Sequence, residues 1–264
     1  MKPFHIIVLI KQVPDPEGPA DAFKVDPEAK KVTPVGIPPV INPYDENALE
    51  AALKIKERHG ATVTALSMGE KLAQPVLKKA LAAGADELLL LIDPLFGDLD
   101  NRSTAYVLST AIGKMGTYDL ILTGRQAADW DFGVTGLYLA EALRIPAVNV
   151  VQKVEVGDGT VLAERMCDDG HDVVKTFLPC LLTVSSEVGE LRYIPVRSLQ
   201  AVSKRPAKVL NSKDLEVDAE RLTSRKINKL IPFQGERQCH FIEGESPREK
   251  GEKLALKMKE DRIL

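Results

Sequence analysis

A chain of 264 residues, 44% hydrophobic and 28% charged, has the make-up of a globular protein large enough for one substantial domain and an appendage. A formal net charge of -3 and an aromatic content of 5% argue against a nucleic-acid surface, a base-stacking platform or attraction to an anionic membrane. Three widely spaced cysteines, Cys167, Cys180 and Cys239, never form a CxxC pair, so they read as free thiols rather than as disulfides or zinc ligands.

The N-terminus leads into an apolar run that stops at Lys11, too short for a signal segment, and no run approaches a membrane span. A cytoplasmic protein without membrane insertion is expected. Residues 4–10 are continuously apolar and rich in β-branched side chains, the pattern of a strand covered on both faces of a parallel sheet. Residues 14–39 carry Pro, Asp and Gly without sustained period, which reads as a functional excursion. Asn42 and Pro43 then suit the cap and first turn of a helix that Gly60 ends.

The cycle repeats: strand 61–67, a turn at Gly69, helix 72–82 stopped by Gly84, strand 87–92, helix 101–114, strand 118–123, loop 124–131 and helix 133–143. Strands alternating with helices of this length predict βαβ units, hence an α/β fold with a doubly wound, mostly parallel sheet whose ligands sit at the strand C-terminal ends. Runs at 148–156, 161–165, 173–178 and 180–185, with a Gly157-Asp158-Gly159 turn, predict antiparallel edge strands. From Lys204 onward apolar runs are sparse, and a last helix is expected at 247–260. The expected division is an α/β nucleotide-binding domain over 1–203 and an extended arm over 204–264.

The most informative segment is Gly124-Arg125-Gln126-Ala127-Ala128-Asp129-Trp130-Asp131-Phe132-Gly133-Val134-Thr135-Gly136, which leaves a strand tip and enters a helix. Glycines admit a ligand close to the backbone, the helix N-terminus offers N–H groups to a phosphate, and Thr135 adds a hydroxyl. The alternative is a plain strand-to-helix turn in which Asp131 caps. Two further tips, residues 9–15 and 67–69, feed the same sheet edge. There is no Walker Lys-Ser/Thr pair, no GxSxG elbow and no metal-ligand cluster, so no catalytic residue is assigned.

Those residues carry a resemblance. With Ile6, Val8, the run Lys11-Gln12-Val13-Pro14-Asp15, Asn42-Pro43-Tyr44-Asp45, Met68-Gly69, Gly84-Ala85-Asp86, the loop from Gly124 to Gly136, and Leu191-Arg192-Tyr193, the chain resembles the β subunit of electron-transfer flavoproteins, including FixA-like members. The resemblance implies the adenine-nucleotide α-hydrolase-like fold and an obligate heterodimer with an α subunit. One FAD lies at the subunit interface, and AMP or a second FAD lies within the β subunit. It places the buried nucleotide against Leu9, Asn42, Pro43, Tyr44, Asp45, Met68, Gly124, Arg125, Gln126, Ala127, Asp129, Asp131, Gly133, Val134 and Thr135. It places a partner-docking loop at residues 192–200, with Tyr193, Val196 and Leu199, and Val196 where simple carriers have an anchoring leucine.

The implied activity is electron transfer from a flavin-linked dehydrogenase, such as an acyl-CoA dehydrogenase, to a quinone-reducing oxidoreductase or an iron–sulfur acceptor. The implied alternative is a bifurcating complex that oxidises NADH at a second FAD. The first strand tip and Asn42-Pro43-Tyr44-Asp45 look like bifurcating members, Thr135 looks like AMP-binding carriers, and Pro16 stands where simple carriers have a flavin-contacting tyrosine. A colourless nucleotide-binding regulatory module is the reading outside electron transfer.

Overall fold

The computed structural model describes residues 4–231 and 239–263. Residues 1–3, 232–238 and 264, which include the start of the chain and part of the expected arm, lie outside the described residues. The first strand, β1, spans His5–Leu9, and β2 (Gln12–Pro14), β3 (Phe23–Asp26), β4 (Lys31–Pro34) and β5 (Pro39–Ile41) fill the excursion. Next come α1 (Pro43–His59), β6 (Thr62–Gly69), α2 (Gln74–Leu77), α3 (Lys79–Ala83), β7 (Glu87–Ile92), α4 (Asn101–Met115), β8 (Leu120–Gly124) and α5 (Thr135–Leu143). The chain continues through β9 (Ala147–Gly157), β10 (Thr160–Cys167), β11 (Gly170–Phe177), β12 (Cys180–Val184), α6 (Val196–Ser203), β13 (Lys208–Leu210), α7 (Ser212–Leu215) and α8 (Pro247–Glu260).

The main sheet has nine strands in the order β11-β10-β9-β12-β8-β1-β6-β7-β13. Its strands from β9 to β13 in that order run parallel, and β10 and β11 add an antiparallel edge. The expected doubly wound α/β architecture with antiparallel edge strands is therefore what the chain forms. Ile6, Ile7 and Val8 are wholly buried, because both sheet faces are covered. On one face Leu49, Leu53 and Leu77 pack against Ile6, Val8 and Val63; on the other Val107, Ile112 and Leu139 pack against Ile7, Leu66 and Ile121.

After β1 the chain winds outward through β6 and β7, then returns across to β8 on the other side of β1. Connections leave β1 and β8 in opposite directions, so a crevice opens between their C-terminal ends.

Several local features depart from the sequence reading. Residues 72–82 form two short helices, starting only at Gln74; Ala73 donates its N–H to Gln12 Oε1 at 2.5 Å and Pro75 follows in the first turn. Helix α5 starts at Thr135 rather than at 133, because Asp131 and Gly133 adopt positive φ values of 52° and 64°. The excursion pairs β2 with β5 and β3 with β4, so it is two antiparallel ribbons rather than irregular chain. The main sheet also runs past position 203: β13 pairs with β7, and Leu215 is wholly buried. Helix α8 has the expected limits, and none of its residues is buried.

Candidate functional site

A cleft of about 350 Å³ opens where β1, β6 and β8 end. The volume lies in the range of roughly 300–1,000 Å³ typical of small-molecule sites. All three expected strand tips meet there: Leu9, Met68, Gly124, Arg125, Gln126, Ala127, Asp129, Gly133, Val134, Thr135 and Asp45 line it.

Asp45 explains how the crevice is held. At a switch point, β1 and β8 diverge, and N–H groups at or just past their ends lack a strand partner on the crevice side. Lys11 N–H donates to Asp45 Oδ2 at 2.7 Å and Gly124 N–H to Oδ1 at 2.9 Å, so one carboxylate at the start of α1 ties both tips. Burial pushes the Asp45 carboxyl up to about 7, against the opposing pull of these donors, of Asn42 and of the Lys11 charge. Gly124 has no room for a side chain: a Cβ there would lie 2.5 Å from Asp45 Oδ1 and 2.7 Å from the Tyr44 backbone.

Asn42, expected as a helix cap, makes no capping bond. It is wholly buried against the loop after β8, donating from Nδ2 to Gln126 O at 2.8 Å and accepting at Oδ1 from Ala128 N at 3.1 Å. Past Arg125, whose N–H still donates to Val184 O at 2.8 Å, that loop leaves the sheet, and the Asn42 amide supplies both a donor and an acceptor to it. Nor does Asp131 cap α5: it sits at positive φ and accepts from Gln126 Nε2 at 2.8 Å. Asn42, Pro43, Tyr44 and Asp131 stand outside the cleft wall; Tyr44 lies beneath the Arg125 guanidinium at 5.2 Å, and Pro43 is exposed.

The wall divides by chemistry. Leu9, Leu66, Met68, Phe96 and Leu99 are an apolar side suited to a base. Val134, the residue before α5, gives no side-chain cap, so the first-turn N–H groups of α5 are open to an anion on the cleft side. Gly136 lets that turn sit against the sheet, since a Cβ there would come within 2.9 Å of Thr123 Oγ1. Thr135 Oγ1 bonds Asn101 Oδ1 at 3.1 Å, and Lys11 Nζ bridges the mouth to Asp129 at 2.6 Å. Apolar side, uncapped helix turn and volume together fit an adenine nucleotide.

Sequence reasoning missed the residues after β7, including Phe96, Asp98 and Leu99, and the start of α4. It also missed Arg225, which reaches the cleft rim from the C-terminal segment. Their placement depends on long-range docking, for which no local pattern exists.

A second surface lies on the α1 side. Glu50, almost wholly buried, receives Arg192 through Nε at 2.9 Å, Nη2 at 3.0 Å and the backbone N–H at 3.1 Å. Asn47 Nδ2 donates to Gly189 O at 2.7 Å and Lys54 Nζ to Val188 O at 3.1 Å. The loop before α6 is thereby pinned, leaving Tyr193 84% and Val196 64% exposed, while Leu199 turns half-buried toward Lys79. Among the described residues no helix is long and apolar enough to cross a membrane, and no three His, Cys, Asp or Glu side chains converge as metal ligands.

Residues 31–215 match the model of the electron transfer flavoprotein domain. The chain is 42% identical over 219 residues to the electron transfer flavoprotein subunit beta of Thermoanaerobacterium thermosaccharolyticum, covering 83% of this chain and 82% of that one. It is 37% identical over 217 residues to the caffeyl-CoA reductase-Etf complex subunit CarD of Acetobacterium woodii, covering 82% and 81%. Identity to the protein FixA of Azorhizobium caulinodans is 36% over 221 residues, covering 81% and 77%.

Proposed function

The chain belongs to the electron transfer flavoprotein family, on its β-subunit and FixA branch, and from that premise we propose how its cleft and its exposed loop divide the work. The cleft between β1 and β8 holds an adenine nucleotide, either AMP or the adenine half of a second FAD. The chain pairs with an α subunit, and an FAD lies at their interface. The loop at Tyr193 and Val196 docks a flavin-linked dehydrogenase of the acyl-CoA type, and the electrons pass on to a quinone-reducing or iron–sulfur oxidoreductase. The observation that carries this reading is the cleft itself: three strand tips, two of them tied by Asp45, with the loop after β8 held by Asn42 beside an uncapped helix turn.

Bound flavin supplies the electron-accepting and electron-donating chemistry, and the polypeptide sets its position and access. The α5 N–H groups take phosphate, and the Thr135 hydroxyl joins them by turning its proton from Asn101 Oδ1. Leu9 and Met68 line the base pocket, and Gln126 and Asp129 lie beside the ribose. Asp45 and Asn42 act one step back, holding the loop that makes these contacts. Helix α8, none of whose residues is buried, belongs to the arm that wraps the α subunit, while β13 and Leu215 keep residues 208–215 with the sheet domain.

Co-expression with an α subunit tests the proposal. A yellow heterodimer whose flavin is reduced through a dehydrogenase and reoxidised by an electron acceptor is expected; a colourless β chain that ignores the α subunit contradicts it. A bifurcating assembly is the second reading, carried by the first strand tip, Lys11-Gln12-Val13-Pro14-Asp15, and by Asn42-Pro43-Tyr44-Asp45, which look like bifurcating members. Two FAD per heterodimer, bleached by NADH, would establish that reading over the first.

A further inference from the structure

The cleft rim carries a feature the strand tips do not explain. Trp130 and Phe132 stack with centroids 6.1 Å apart and planes at 4°. The Arg225 guanidinium lies over both rings, 4.2 Å from the Trp130 centroid and 5.7 Å from that of Phe132. Backbone pairing delivers it there: Leu99 and Ser224 form an antiparallel bridge, and Arg225 N–H donates to Asp98 O at 2.8 Å.

The cations of the cleft wall differ in what they have left to give. Lys11 is paired with Asp129 at 2.6 Å and Lys71 with Glu70 at 3.4 Å, while Arg125 directs Nε to Gln126 Oε1 at 3.2 Å. Arg225 has no carboxylate or side-chain acceptor among the described residues. Stacking occupies the faces of a guanidinium and leaves its edge of N–H donors open, the geometry that binds a phosphate bidentately. Phe132, on which it stacks, immediately precedes Gly133 and the open first turn of α5. The first turn of α5 and Arg225 line the same cleft.

We infer that Arg225 is a specificity-determining residue that takes a second phosphate, so that the cleft selects a nucleoside diphosphate group over a nucleoside monophosphate. The inference rests on the nucleotide reading of the cleft. The group has two sources, free ADP or the ADP half of a dinucleotide.

The test uses the full-length chain freed of nucleotide, with AMP, ADP and FAD titrated calorimetrically and the emission of Trp130, the sole tryptophan, followed in parallel. ADP is expected to bind about tenfold or more tighter than AMP, the value of an added charge-assisted contact. Arg225→Gln is expected to abolish that advantage while leaving AMP affinity unchanged, and Arg225→Lys to restore only part of it. FAD binding as tightly as ADP identifies the dinucleotide, and ADP alone the free diphosphate; both support the assignment. Equal affinity for AMP and ADP in the unaltered chain, or equal weakening of both by Arg225→Gln in a variant with unchanged urea midpoint, overturns it. A folded chain that binds none of the three overturns the nucleotide reading as well.

Discussion

At the scale of single residues, Asp45 carries the most consequence. Its carboxyl is pushed up to about 7 by burial from an ordinary value of 3.8, so the folded chain holds a proton that the unfolded chain releases. Below pH about 4 both states are protonated and the contribution is whole; as pH rises toward 7 it is lost, to an extent of about 4 kcal/mol. Asp45→Asn removes this slope, but it keeps one acceptor and turns an amide donor against the second backbone N–H, costing about 1–3 kcal/mol. Urea unfolding should therefore find the variant the weaker of the two near pH 4 and the more stable of the two at pH 8, because the loss of about 4 kcal/mol in the unaltered chain exceeds the cost of the amide; parallel pH profiles would refute the account. At Gly124, the 2.5 Å approach of a Cβ to Asp45 predicts that Gly124→Ala breaks the tie between the strand tips. Loss of nucleotide retention, with a stability cost of about 1–3 kcal/mol, is the expected outcome.

Among the elements, the loop before α6 depends on α1. Glu50 is buried with Arg192 as its partner, and removing one partner of a buried ion pair costs about 3–5 kcal/mol. Arg192→Ala should lower the urea midpoint accordingly and weaken dehydrogenase docking, whereas Arg192→Met with Glu50→Met should recover most of the stability. Val196→Asp, on a side chain that is 64% exposed, should leave stability unchanged and weaken docking at least tenfold by titration against the partner dehydrogenase. The strands were the most legible elements: strand 87–92 falls where its unbroken apolar run places it, and β1 lies within the run 4–10. Helix starts were less legible, since Gln12 reaches across to Ala73 and Asp131 takes a positive φ, neither of which follows from local propensity. Asn42 shows the same limit, because its capping propensity gives way to a partner 84 residues further along.

For the whole molecule, the alternation of strand and helix predicts a switch point, and the switch point predicts where a ligand sits. The three tips that line the cleft were readable because each ends an unmistakable buried strand. The far wall after β7 and the rim at Arg225 were not, because they are assembled by chain winding and by the return of the C-terminal segment. What joins these parts, on the function proposed above, is a cleft shaped to hold a nucleotide through the loop after β8. Mass spectrometry of nucleotides released from the purified heterodimer, compared between the unaltered chain and Gly124→Ala, tests this most directly. The account predicts one adenine nucleotide beyond the interface FAD, lost in the variant while that FAD is retained; a heterodimer carrying a single FAD and nothing else, or identical contents in both, would contradict it.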